Sequence, residues 1–510
     1  MLALAACNVG PKFVKPTVQL PTGWSQNDPR LASNQAVNLA WWSAFKDENL
    51  NRLIEYAYQE NLPLQVAGLR ILEARAQLAI AVGQQYPQVQ LASAHVAAVG
   101  LSEHAPNSGA ATIDRNFGDF QVGFDVLWEA DIWRKYANGV KAEEADYLST
   151  VADYDGALVS LTAEVARTYT MLRTFDVLLD QTRKNVEVQE EGLRLAQARF
   201  KTGASAQLDV TQATTLLEST RAKIPALESS AKQTRNALCT LIGRTTDCAD
   251  ALVAATSGIP APPAQAAIGM PAELLRRRPD IRGAEVKAMA QCARVGVAKA
   301  DLYPRFSLSG SLGLESSSGG GPASNNSNFG DLFSTGAIFY NLAAHLFYPI
   351  FNYGRIENAV RVQDARLQQL LVDYRNTVIK AAQEAEDGMI GLVKAQDAVG
   401  FAQNAANAAD ESVKLAFVQY REGIVDFQRV LDAQRELLRQ QNDLADARSS
   451  AAINFIALYK ALGGGWELRR GRPVVSDPNR IEMQNRTNWG DYFEQPASQT
   501  PALPESQPSR

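Results

Sequence analysis

A chain of 510 residues with 46% hydrophobic and 21% charged residues has the composition of a folded protein and the length of about two to four ordinary domains. Its formal charge of -5 supplies no basic surface for nucleic acid, and the only dense basic run, Arg276-Arg277-Arg278, is flanked by Glu273 and Asp280. Three histidines (His95, His104, His345) stand at no metal-ligand spacing, and no nucleophile-base-acid set or cofactor loop occurs, so neither a metal, a cofactor nor an enzyme activity is expected.

The chain begins MLALAACN. Small residues before Cys7 fit the tail of any signal peptide, but Leu4-Ala5-Ala6-Cys7 also fits a bacterial lipobox, in which the Cys7 thiol is acylated and becomes the new N-terminus. No run of about 20 apolar residues follows, so no membrane-spanning helix is expected.

The next patterned segments have period two. PQVQLASAHVAAVGL is the weakest; GDFQVGFDVLWE sets Phe120, Val122, Phe124, Val126 and Trp128 against Gln121, Gly123, Asp125 and Glu129. Later, PRFSLSGSLGLES and IFYNLAAHLFY alternate in the same way. Strands of roughly 10 residues, apolar on one face and polar or small on the other, with aromatics toward the ends, are what a transmembrane β-barrel uses. A half-buried strand on a soluble sheet gives the same alternation. The long polar loops joining each pair and the lipobox favour the barrel, and because four strands cannot close in lipid, several copies must pool theirs.

After each strand pair the period becomes 3.5. From Tyr147, Val151, Tyr154, Leu158 and Leu161 to Phe200, apolar positions recur in steps of four and three, and the same register returns from Leu367 to Tyr420. A helix from about Ile132 to Phe200 is roughly 100 Å long. An ordinary coiled-coil stalk also has this period, but the alanine- and glycine-rich second seam favours broad packing of many helices. Each helix runs into a glycine turn, ARFKTGASAQLDV at Gly203 and QYREGIVDFQRVLD at Gly423. One offset of about 220 aligns Gly203 with Gly423, Val210 with Val430 and Gly243 with Gly463, so the chain is two copies of one unit. Cys239 and Cys248 bracket a turn; a local disulfide and two separate buried thiols both fit.

Over nearly its whole length the chain resembles the TolC-type outer membrane efflux proteins, in the NodT/OprM-like lipoprotein branch serving resistance-nodulation-division pumps. The residues carrying the resemblance are LAAC at Leu4, GPKFVKP at Gly10 and MPAELLRRRPDIRGAEVKAMAQCARVGVAKADLYPRFSLSGSLG from Met270. It implies a mainly α fold with membrane β: a homotrimeric, 12-stranded outer membrane β-barrel continued by a 12-helix periplasmic α-barrel. The implied organisation is a signal-peptide remnant (1–6), a lipidated N-terminal and equatorial segment (7–62), repeat 1 (63–245), an equatorial linker (246–270) and repeat 2 (271–466); the tail (467–510) lies outside the resemblance and has the composition of a disordered segment. It implies an outer membrane location with a lipid anchor and a large periplasmic part, and a passive conduit opened by a periplasmic adaptor and an inner membrane pump. A type I protein-secretion conduit and a structural coiled-coil lipoprotein are the alternatives.

The hairpin tips Thr202-Gly203-Ala204 and Glu422-Gly423-Ile424 depart from the family's V-G-L but stand at its adaptor-docking turns. By the same resemblance Asp432 matches the acid that rings the periplasmic constriction. Arg429 is expected as its partner or as a second ring, with Asp426 and Gln428 nearby and Asp209 pairing across with Arg429. A solvated helix face explains the same residues without a gate.

Overall fold

A computed structural model of the protein describes residues 8–18, 23–32, 40–102, 104, 115–246, 258–269, 277–318 and 328–493. In chain order its regular elements are β1 (Leu31–Ala32), α1 (Glu48–Glu60), α2 (Leu62–Gly83), β2 (Val89–Gly100), β3 (Asn116–Glu129), α3 (Lys135–Lys201), α4 (Gln207–Arg221), α5 (Lys223–Leu241), β4 (Ala266–Ala267), α6 (Pro279–Ala300), β5 (Arg305–Ser318), β6 (Ile338–Phe347), α7 (Arg355–Arg421), α8 (Phe427–Ala461) and α9 (Asp477–Arg486). Two compact units share them: one takes the described residues of 1–15, 73–148 and 285–372, the other the rest. Among the described residues no helix is long and apolar enough to cross a membrane.

The first unit holds an antiparallel sheet in the order β2-β3-β5-β6. Directly paired residues share a face, so the register sorts the side chains. Phe124 pairs with Ala92 on one side and Leu312 on the other, and Leu312 pairs with Tyr340. Phe124, Leu312 and Tyr340 are 66%, 57% and 82% exposed, so this apolar face is uncovered within the chain. The opposite face carries His95, Gln121 and Glu315 in one row and Asp125, Ser311 and Asn341 in another. There the Ser93 hydroxyl donates to Asp125 Oδ2 at 3.3 Å, and Ser309 Oγ lies 2.9 Å from His345 Nε2. The alternation expected for three strands is present; β2 is mixed, with Val96 on the apolar face and Leu91 on the polar one. Outer edges of β2 and β6 have no strand partner among the described residues.

In the second unit an aromatic core gathers around Trp41, which is fully buried, stacks on Tyr459 at 6.0 Å and meets Phe455 edge-on. Asp47 caps α1 through the Asn49 and Leu50 N–H groups and accepts the Tyr169 hydroxyl at 2.8 Å, tying the helix start to α3. The heptad seams are buried as expected, including Leu158, Val165 and Leu172 in α3 and Ala381, Ala385 and Leu392 in α7. A Cβ on Gly388 would lie 2.9 Å from the Leu458 Cα, so α7 and α8 meet backbone to backbone at that point.

α3 and α7 are each 67 residues, about 100 Å at the α-helical rise, and neither contains proline. α3 starts at Lys135 rather than near Ile132. Asp131 accepts from the Tyr136 and Ala137 N–H groups at 3.0 and 2.8 Å, and Arg134 is left-handed at φ 58°, so the residues before it cannot be helical. α4 and α5 are separated at Ala222, because Pro225 has no N–H for the Arg221 carbonyl. The 220-residue offset puts Ala445 at the matching place, and α8 runs through it without a break.

A disordered tail after Trp466 was the expectation, and as far as Phe493 the chain is instead folded. Arg469 and Arg282 both bond the Asp155 carboxylate, which is fully buried, and the Arg282 guanidinium lies 4.6 Å from the Trp466 ring. Arg472 pairs with Glu55 at 2.7 Å, and Asn479 donates to Gln65 at 2.9 Å. The polar composition that reads as disorder is the set of partners this segment needs. Residues 494–510 lie outside the described residues.

Candidate functional site

Two glycine turns, at the α3–α4 and α7–α8 junctions, come together in the second unit. At the first, Ala204 N–H donates to Arg199 O at 2.8 Å and Gly203 N–H to Phe200 O at 3.0 Å; at the second, Ile424 N–H donates to Gln419 O at 2.9 Å and Gly423 N–H to Tyr420 O at 3.0 Å. Both are Schellman caps, and Gly203 and Gly423 take φ of 73° and 74°, the left-handed conformation that glycine adopts without a Cβ clash. Beneath the turns Ala196, Ala213, Leu216, Tyr420, Phe427 and Leu431 form one buried cluster drawn from all four helices. The Tyr420 and Phe427 rings are 5.0 Å apart. The two hairpins are therefore one packed body, and their tips, Thr202-Gly203-Ala204 and Glu422-Gly423-Ile424, are all exposed, Ile424 to 71%.

One residue that crosses between the hairpins was missed in the sequence. Arg199 donates from Nη1 to Tyr420 O and holds its guanidinium 4.7 Å from the Tyr420 ring centre. A basic side chain in the last helical turn satisfies free carbonyls, here those of the neighbouring helix. The aligned sequence does not single it out: Arg199 faces Gln419, one of several differences between the two turns, among them Ala206 against Asp426 and Asp209 against Arg429.

The expected gate residues divide by role. Asp426 caps α8, accepting the Arg429 N–H at 3.3 Å, whereas its counterpart Ala206 gives α4 no side-chain cap. Asp432 accepts from Gln428 Nε2 at 2.9 Å and pairs with Arg435 at 3.5 Å. Glu436, Arg439 and Asp443 extend this line of charge along the exposed face of α8. Within the chain Asp432 is thus engaged by Gln428 and Arg435, one turn to either side. No ion pair joins Asp209 to Arg429 within the chain. The charged groups acting on Asp209 are Asp426 and Arg199; partial burial and then the Asp426 carboxylate push its pKa up, against the pull of Arg199. Helix offset establishes equivalence between Asp209 and Arg429, not proximity. Burial also raises the pKa of the Tyr420 hydroxyl.

Cys7 and Cys248 lie outside the described residues. Cys239 is disulfide-bonded, and Cys292 is a free, buried thiol. Among the described residues no group of three or more histidines, cysteines or carboxylates is placed to hold a metal.

A sheet with one uncovered apolar face, together with long antiparallel helical hairpins, describes a membrane channel class, and comparison with known proteins agrees. The profile of the outer membrane efflux proteins matches residues 53–244 and again 270–464. The chain belongs to the outer membrane efflux protein family. It is 30% identical over 474 residues to the pyoverdine export outer membrane protein OpmQ of Pseudomonas aeruginosa, covering 92% of this chain and 96% of that one. Against the cation efflux system protein CusC of Escherichia coli the identity is 27% over 469 residues, covering 91% and 97%. Among solved structures the outer-membrane channel OprN superposes with a TM-score of 0.82 at 29% identity, over 90% of this chain and 100% of that one.

Proposed function

We propose that the chain is the outer membrane channel of a tripartite efflux pump, a passive homotrimeric conduit from periplasm to exterior. The observation that carries this is the four-stranded sheet of β2, β3, β5 and β6, with an exposed apolar face and two outer edges that have no strand partner among the described residues. In hydrocarbon every unpaired edge group costs several kcal/mol, so such a sheet must close with others. A barrel needs about eight strands or more, and three copies supply twelve. The long helices pool likewise into a periplasmic barrel of twelve, built from two copies of one sequence unit per chain. Acylated Cys7 anchors the assembly in the outer membrane.

The exposed tips at Gly203 and Gly423 are the surface offered to a periplasmic adaptor, which couples the channel to an inner membrane resistance-nodulation-division pump. Threefold symmetry brings three copies of Asp432 and Arg429 toward the axis, where rings of charge select ions and pairs between chains close the mouth. What supports this is their exposure on α8 beside the turn; the neighbouring Gln428 and Arg435 orient Asp432. Planar-bilayer recordings of the purified trimer test both parts. Wild type should conduct, and Asp432→Ala should raise open probability and lower cation preference. A protein that forms no channel overturns the conduit, and unchanged conductance and selectivity overturn the gate.

A further inference from the structure

Trp133, between β3 and α3, is clasped inside the chain. Its ring stacks on Tyr303 with centroids 4.7 Å apart and planes at 27°, and its indole N–H donates to Pro304 O at 2.7 Å. Ala130 N–H donates to Phe306 O at 2.8 Å alongside. The clasp forms because β3 and β5 are paired neighbours, so the junction leaving β3 arrives beside the corner entering β5.

Both halves of this clasp occur a second time. The 220-residue offset that aligns the glycine turns puts Trp133 on Tyr353 and Arg134 on Gly354, at the β6–α7 junction. Backbone geometry agrees at the second position, where Arg134 and Gly354 have φ of 58° and 75° and each carbonyl accepts from an asparagine N–H four residues on, Asn138 at 2.9 Å and Asn358 at 3.0 Å; at the first position Tyr353 is left-handed whereas Trp133 is not. The corner is repeated as Tyr86-Pro87, just before β2. The second pair is apart within the chain, because β2 and β6 are the two outer edges of the sheet. Tyr353 is 100% exposed and Tyr86 64%, and Phe351 beside it is 84% exposed. Tyr353 itself has φ 49°, an uncommon conformation for a bulky residue that persists where surroundings enforce it.

We propose that Tyr353 of one copy packs on the Tyr86-Pro87 corner of the next copy, repeating between chains the contact that Trp133 and Tyr303 make within one. The inference rests on the trimeric reading above: an edge-to-edge pairing of β6 with a second copy's β2 delivers the β6–α7 junction to that corner, as the β3–β5 pairing does inside the chain. The ion pair beside the internal clasp, Lys135 with Asp301 at 2.8 Å, is not repeated, since Gln84 stands where Asp301 does. The contact between copies is therefore aromatic and apolar, and insensitive to salt.

The test uses the purified full chain with Tyr86→Cys and Tyr353→Cys together in a Cys292→Ser background, treated with a short bifunctional maleimide and read by denaturing gel and native mass. Linked dimers and trimers that neither single variant gives, unchanged in high salt, are expected. A trimer by native mass without links overturns the contact and leaves the trimer standing; a monomer overturns the trimeric reading itself. Tyr353→Trp in brominated-lipid vesicles gives a second arm, read as the difference from the wild type with its seven native tryptophans: no added quenching is expected, and added quenching assigns the surface to lipid and overturns the proposal. Tyr353→Gly removes the left-handed strain along with the ring, so a trimer that dissociates at lower temperature supports the contact and a more heat-stable one overturns it.

Discussion

Asp209 and Asp426 bring two carboxylates together where the hairpins meet, and the consequence has a definite sign. The Asp209 pKa is raised above its ordinary value, first by burial and then by Asp426. Between the ordinary and the raised value the folded chain therefore holds more protons than the unfolded chain, so stability falls as pH rises through that window. Asp209→Asn should remove this part of the fall and raise the unfolding temperature at neutral pH, with little change in mild acid. Calorimetry across that range checks it, and a neutral-pH loss of stability would contradict the assignment. Duplication made residues such as Gly203 and Gly423 legible in the sequence, since the same turn is needed twice. It was silent on Arg199, whose partner is a backbone carbonyl 221 residues away, because carbonyls have no sequence signature.

At the scale of the element, the 3.5-residue period read correctly because a buried seam depends only on which side chains recur. It also anticipated close helix approach, which Gly388 provides. Gly388→Ala puts a Cβ against the Leu458 backbone and should destabilise by about 1–3 kcal/mol, as overpacking does. Gly423→Ala, at an exposed turn where an added Cβ would meet only Arg199 Nη2 at an ordinary 3.8 Å but the backbone is left-handed, should lose about 1–2 kcal/mol. Thermal unfolding of the two variants separates packing from backbone strain, and only Gly423→Ala should respond to Asn in place of Ala, since asparagine tolerates that conformation. The start of α3 and the folded segment after Trp466 were not legible. Each is decided by side chains reaching across space, Asp131 onto two N–H groups and Arg469 onto Asp155, and not by periodicity.

For the molecule as a whole, the sheet defines the solvent on each side. Leu312 lies on the uncovered apolar face, and Ser311 next to it lies on the polar face. Arginine on a lipid face near mid-membrane costs about 2–4 kcal/mol, whereas a lumen position tolerates charge. Leu312→Arg should lower the yield of heat-stable trimer in outer membranes, while Ser311→Arg should preserve it and change conductance; equal effects would mean that neither face meets lipid. Alternation along one strand announced these faces early, although β2 needed the register to sort its residues. The trimer number and the docking role proposed for the tips rest on resemblance, since the sheet of one chain leaves edges without strand partners among the described residues but does not show how many copies close them.

Asp155 adds a dimension of time. Its buried carboxylate is neutralised in part by Arg469, which lies 314 residues later in the chain. A buried charge stripped of a partner is destabilising by about 3–5 kcal/mol, so the core around α3 is incomplete until the C-terminal segment arrives. A chain cut short before Arg469 should show weakened protection of α3 amides from exchange, measurable by mass spectrometry, despite retaining both long helices. The core around α3 therefore reaches its final form only once a segment 314 residues further along the chain has been delivered.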